Sequence, residues 1–179
     1  MGTVEAMRYV ELRRHTDNDD DALTDEGRRQ AEEIGQSRLQ PPYDAFVSTG
    51  ARRATEMLEI LRDAAGQPEA EVTQRTALRS SVEDRWRAAA KAAGKGADLE
   101  AMRALDPDLV EQESRLLGAA LREVFWSLPD EGRALVVGHS PTNEAAVLGL
   151  TGRAVAPLGK GDGVLVTEAD GGFEVSALP

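Results

Sequence analysis

The stretch Met7 to Gly35, MRYVELRRHTDNDDDALTDEGRRQAEEIG, restricts what this chain can fold into more than any other. An apolar, β-prone run (Met7, Tyr9, Val10, Leu12) passes without a break into Arg13-Arg14-His15-Thr16, then an acidic loop, then a helix opened by Thr24. Thr24 offers a side-chain oxygen to a free amide, and Asp25 and Glu26 place negative charge in the first turn, where the helix dipole favours it. Ala31 and Ile34, with Leu39 beyond them, carry the buried stripe of that helix. A strand feeding a helix through a loop is the unit of a parallel sheet, and ligands of such sheets sit beyond the carboxyl ends of the strands. His15 stands at such an end.

The unit recurs along the chain. Pro41-Pro42 stops the first helix, and Tyr43 to Ser48 reads as a second strand centred on Phe46 and Val47. A helix from about Ala51 to Ala65 follows, with Ala54, Met57, Leu58 and Leu61 at helical spacing and Gly66 and Pro68 at its end. Glu71 to Thr73 is a short third strand. From Val82 to about Leu105 the composition shifts to Ala, Arg, Lys, Glu and Gly, which predicts a helical insertion over one side of the site, with Trp86 as its aromatic anchor. Asp106-Pro107-Asp108 opens a long helix to about Trp126, a second packing anchor. Leu109, Leu116, Leu117, Leu121, Val124 and Phe125 are expected on its buried side, as core or in part as a dimer face. Ala134 to Val137 is a further strand, ending in Gly138-His139, and Pro141 opens a helix through Leu150. Val164 to Thr167 and Phe173 to Val175, around Asp170-Gly171-Gly172, form a closing hairpin. The expected fold is α/β, a three-layer sandwich with a mostly parallel central sheet flanked by helices, in a single domain over 1–179.

Bulk properties remove several classes of function. The 179 residues contain no Cys, so disulfides, thiolate metal sites and Cys nucleophiles are excluded. No run approaches the roughly 18 apolar residues of a membrane helix. The first six residues, MGTVEA, have neither the basic start nor the apolar stretch of a secretory signal, and a cytoplasmic setting is expected. A net charge of -11 disfavours nucleic acid and anionic membranes as partners. Lysine occurs only at positions 91, 95 and 160, so positive charge is nearly all Arg. The acidic run Asp17-Asn18-Asp19-Asp20-Asp21 lacks the Gly and the distal Glu of a calcium loop and reads as a solvated loop.

The chain has only two histidines, His15 and His139, and each follows a strand-like run. An imidazole is a competent nucleophile, and arginines converging on it would hold the oxygens of a transferring phosphoryl group; Arg14 and Arg53 are placed for that. Positive charge nearby would keep His15 neutral, with a lone pair for attack. Arg13 and Arg52 are expected to face solvent.

These residues bring the chain to a known family: it resembles the histidine phosphatase superfamily, the phosphoglycerate-mutase-like proteins. Arg14-His15 matches the family's Arg-His-Gly signature, and Leu23-Thr24-Asp25-Glu26-Gly27-Arg28-Arg29-Gln30-Ala31 its Leu-Thr-x-x-Gly-x-x-Gln-Ala. Ser48 through Arg53-Ala54 matches Ser-x-x-x-x-Arg-Ala, and His139 in Val136-Val137-Gly138-His139-Ser140-Pro141 stands for the second catalytic His. The four motifs occur in family order, and the size and the His-x-Pro order are nearest to the short phosphohistidine-phosphatase branch. The resemblance implies that His15 is transiently phosphorylated and that Arg14, Arg53 and His139 bind the phosphoryl group, with no metal or organic cofactor.

Three positions depart from the family pattern. Thr16 replaces the usual Gly, and Ser80 occupies the place where larger members carry a Glu acid. Ser140 stands where the acid-phosphatase branch has an Asp. The candidate proton donors are therefore Glu83, Asp84 and Asp17, and Thr16 and Ser140 are candidate phosphate contacts. The reading is a phosphatase acting on a phosphoester or phosphoramidate, protein phosphohistidine among them. Its rivals are a small-molecule phosphatase or mutase, and a non-catalytic phosphate-binding protein. The partner is a phosphorylated small molecule or phosphoprotein, and the protein is a monomer or a homodimer.

Overall fold

The computed structural model describes residues 6–178. The expectation about the leading residues therefore lies, for Met1 to Glu5, outside the described residues. The chain opens with β1 (Arg8–Arg14), which runs two residues past the expected end at Leu12. A small hairpin, β2 (Asn18–Asp19) and β3 (Ala22–Leu23), forms within the acidic run that reads as loop. Helix α1 (Asp25–Ser37) begins at Thr24, whose side chain accepts from the Gly27 amide, as the capping argument requires. Then come β4 (Ala45–Ser48), α2 (Arg52–Ala64), β5 (Val72–Gln74) and a single 3-10 turn, Thr76–Leu78. The segment between the halves holds α3 (Glu83–Ala93) and α4 (Leu99–Leu105), divided at the glycines Gly94 and Gly96. The long α5 (Pro107–Ser127), β6 (Arg133–Gly138), α6 (Thr142–Thr151) and the hairpin β7 (Gly163–Ala169) and β8 (Gly172–Ala177) complete it.

The six-stranded sheet has the order β5-β4-β6-β1-β7-β8. Its first four strands are parallel, and only the closing hairpin is antiparallel. Register decides where the chemistry lies. Arg14 pairs with Gly138 and Ser48 with Val137, so β1, β6 and β4 stop at the same level, and His15, His139 and Thr49 leave from one edge. Alternation along β6 builds two cores: Ala134 and Val136 face a layer containing α5 and α6, while Leu135 and Val137 face α1 and α2. No helix among the described residues is long and apolar enough to cross a membrane.

Three expectations need correction. Arg13 is buried, at 1% exposure, because β1 continues through it and is paired on both sides. Its guanidinium donates to the Gly161 and Arg38 carbonyls and lies 3.6 Å from the buried Glu11 carboxylate. Leu116 and Trp126 are exposed, at 62% and 65%. The buried stripe of α5 runs through Leu109, Val110, Leu117, Leu121, Val124 and Phe125, and both residues fall outside it.

Candidate active site

The two histidine loops are joined through the backbone. The His15 amide donates to the Gly138 carbonyl at 3.0 Å, and the Gly161 amide donates to the carbonyls of Arg14 and His15 at 3.1 and 3.3 Å. Asn143 adds a side-chain link, its Nδ2 donating to the Arg13 carbonyl at 3.1 Å while its own amide donates to the His139 carbonyl at 2.7 Å. The imidazole rings of His15 and His139 meet edge to face with centroids 5.3 Å apart. Both residues are buried, at 6% and 8% exposure.

His15 Nδ1 lies 2.8 Å from the Thr16 carbonyl oxygen. An oxygen that only accepts requires the proton on Nδ1, which leaves Nε2 as a lone pair. Burial pushes the His15 pKa down to about 4; the Thr16 carbonyl opposes this, and Arg53, Arg14 and Lys160 add to it. Neutrality therefore comes first from desolvation and only then from the cations expected to cause it. Burial likewise lowers His139 to about 3, with Arg53 and His15 assisting. In an unfolded chain both rings would titrate near pH 6.5, so below that pH the unfolded state binds more protons than the folded one. Folding stability should decrease as pH falls from 6.5 toward 4. Urea midpoints at pH 7.5 and pH 5 test this, and equal midpoints would contradict the burial of two neutral imidazoles.

Arg14 and Arg53 approach from two sides. Arg14 leaves the end of β1 and donates through Nη1 to the Leu158 carbonyl at 2.8 Å. Arg53 sits in the first turn of α2, 17% exposed, with Nη1 2.8 Å from Asp21 of the β2–β3 hairpin. The acidic run thus places a carboxylate on a cation that the sequence assigns to phosphate. Asp21 and a phosphoryl oxygen would compete for one guanidinium. Asp21→Asn should tighten inorganic phosphate or vanadate binding several-fold, about 1 kcal/mol for one partly exposed ion pair, in a titration at fixed ionic strength. Unchanged or weaker binding would show that Asp21 orients Arg53 instead.

The remaining candidates are distributed unevenly. Glu83 borders a cavity of 180 Å³ together with Arg53, Trp86, His139, Ser140 and Thr142. Its carboxylate accepts from Arg79 at 2.7 Å, and that hydrogen bond holds its pKa below the ordinary range. Asp84 is 96% exposed and pairs with Arg87. Asp17 is held by Lys160 at 2.8 Å and by Thr24 at 2.7 Å, and these bonds lower its pKa. The Thr16 hydroxyl donates to the Gly27 carbonyl at 2.7 Å, which ties the loop to α1, and the Ser140 hydroxyl donates to Glu144. Both hydroxyl protons are already committed.

Sequence reasoning missed Thr49, whose Oγ1 lies 2.8 Å from His139 Nε2, although it stands inside the Ser48-to-Arg53 motif. It also missed Glu144, buried at the start of α6 and pushed toward the neutral form by burial. The arrangement as a whole offers a nucleophilic nitrogen, a second neutral imidazole and two guanidiniums at one sheet edge, the parts needed to bind and transfer a phosphoryl group.

Comparison with known proteins agrees with that chemistry. The family model of the histidine phosphatase superfamily (branch 1) matches residues 5–161. Among solved structures, phosphoglycerate mutase from Bacillus anthracis str. Sterne superposes with a TM-score of 0.76 at 18% identity, over 97% of this chain and 93% of that one. Phosphoserine phosphatase from Entamoeba histolytica, in complex with 3-phosphoglyceric acid, gives a TM-score of 0.71 at 14% identity over 96% of both chains. A mycobacterial glucosyl-3-phosphoglycerate phosphatase with bound VO3 gives 0.67 at 15% identity, over 96% of this chain and 98% of that one. At these identities the structures establish the shared fold. No curated protein matches the sequence significantly.

Proposed function

The chain belongs to the histidine phosphatase superfamily, branch 1, and from that premise we propose that it is a phosphatase working through a covalent phosphohistidine on His15. One observation carries this reading: Nδ1 of His15 is committed to the Thr16 carbonyl, so Nε2 is a lone pair at the sheet edge it shares with His139, near enough to Arg53 and Arg14 for their charge to lower the His15 pKa. In the first step Nε2 attacks phosphorus as the bond to the leaving group breaks, and the leaving group departs with the electron pair. In the second, water attacks phosphorus and the P–N bond breaks, releasing inorganic phosphate and restoring the imidazole. Arg14, Arg53 and His139 hold the oxygens in both steps, and the guanidiniums supply the charge that a loose transition state needs.

Of the three candidate acids, Glu83 is the one that borders the same cavity as His139 and Arg53, and so the one placed to face a leaving group. Arg79 holds it ionised in the free protein, so it gives little proton assistance to a leaving group. This favours substrates that leave readily, the aryl phosphates, acyl phosphates and phosphoramidates such as phosphohistidine. The test is turnover of p-nitrophenyl phosphate and of phosphohistidine with EDTA present, beside a sugar phosphate. Hydrolysis of the first two ahead of the sugar phosphate supports the reading. Efficient hydrolysis of the sugar phosphate alone refutes the substrate class, and phosphate binding without turnover of any of the three refutes the enzyme.

A further inference from the structure

Thr49 follows β4 directly and is 1% exposed. Its methyl group faces Gly138, where an added Cβ would be 3.4 Å from Cγ2. Its hydroxyl is 2.8 Å from His139 Nε2. The Ala51 amide donates to the same oxygen over a long 3.5 Å. On the far side of the ring His139 Nδ1 is buried with no hydrogen-bond partner among the described residues.

Two proton arrangements satisfy the Thr49–His139 contact. In one, Nε2–H donates to Oγ1; the Thr49 hydroxyl proton then has no acceptor among the described residues, and a lone pair projects from Nδ1. In the other, Thr49 donates to Nε2 and the ring proton sits on Nδ1. A phosphoryl group brings acceptor oxygens. It would meet repulsion from the lone pair of the first arrangement and a waiting donor in the second, which is also the one that leaves no buried proton stranded once the site is filled. We infer that Thr49 is a positioning residue that holds His139 in its Nδ1–H tautomer, so that the ring donates to an oxygen of the transferring phosphoryl group. His139 is neutral at working pH, so its tautomer is a defined property of the free protein.

The inference rests on the phosphatase reading for its purpose but is read out separately. With only two histidines in the chain, long-range proton–nitrogen NMR resolves both imidazoles without ambiguity. In the wild type both rings should carry the proton on Nδ1, His15 because of the Thr16 carbonyl and His139 because of Thr49. Thr49→Val keeps the shape and removes the hydroxyl. It should turn His139 into a tautomer mixture, weaken vanadate binding about tenfold, and lower kcat on p-nitrophenyl phosphate by a similar factor. Thr49→Ser should restore all three to within about twofold. An Nε2–H signature for His139 in the wild type overturns the inference, as does a Thr49→Val protein with its tautomer and vanadate affinity unchanged. An inactive wild type with the Nδ1–H tautomer would refute the phosphatase and leave the assignment of Thr49 standing.

Discussion

His15→Ala is expected to lose turnover of p-nitrophenyl phosphate by on the order of 10⁴-fold or more, the scale on which removal of a nucleophile registers. No substitute is at hand. The chain has no cysteine, and the other imidazole has one nitrogen engaged by Thr49. The fold should survive, because among the described residues the side chain makes one hydrogen bond, to its own neighbour, and the loop is fixed by backbone bonds to Gly138 and Gly161 that alanine retains. Arg14 and Arg53 remain, so vanadate should still bind to the variant, more weakly. Circular dichroism separates loss of chemistry from loss of structure. Residual activity within tenfold of wild type would show that another group attacks phosphorus.

Gly149→Ala is expected to destabilise the protein by about 3 kcal/mol or more, the range of severe overpacking. A Cβ at Gly149 would lie 1.7 Å from the Ser114 carbonyl oxygen and 3.3 Å from Gly118 Cα, and one at Gly118 would lie 2.7 Å from the Gly149 carbonyl carbon. Helices α5 and α6 thus cross on bare backbone, with no side chain between them to give way. Separating them would open the core around Leu117, Leu121 and Val147, all essentially unexposed. The sign is diagnostic, since the same change within an unobstructed helix gains about 1 kcal/mol. Urea unfolding gives the answer, and a midpoint at or above wild type would contradict the crossing. Because α6 starts three residues after His139, partial accommodation should also reduce turnover.

How far the sequence discloses this arrangement depends on how local each cause is. His15 and His139 at strand ends, Thr24 as a cap and the alternation of strands and helices are visible because each follows from a dozen neighbouring residues. The fate of Arg13 is not local. Two charged residues after an apolar run look like a strand end, and only the pairing of β1 with β7, about 150 positions along the chain, encloses Arg13 beside Glu11. Leu116 illustrates a finer limit: next to Leu117 in an apolar stretch, it differs only by about 100° of helical rotation, and that places it in solvent. The acidic run was legible as charge but not as a hairpin delivering Asp21 to Arg53, since that contact spans 32 positions. Thr49 was overlooked for a different reason. Its role depends on the neighbouring strand β6, which brings His139 beside it from 90 positions away.

If the phosphoryl group rests covalently on His15 between the two steps, the phosphorylated protein can be trapped. Wild type and His15→Ala are mixed with radiolabelled p-nitrophenyl phosphate, quenched within the first turnover, and digested. Label is expected in the wild type alone, labile to acid and stable to alkali, on the peptide that contains His15. A wild type that turns over without retaining label, or that carries acid-stable label or label on the His139 peptide, would contradict a phosphohistidine at His15.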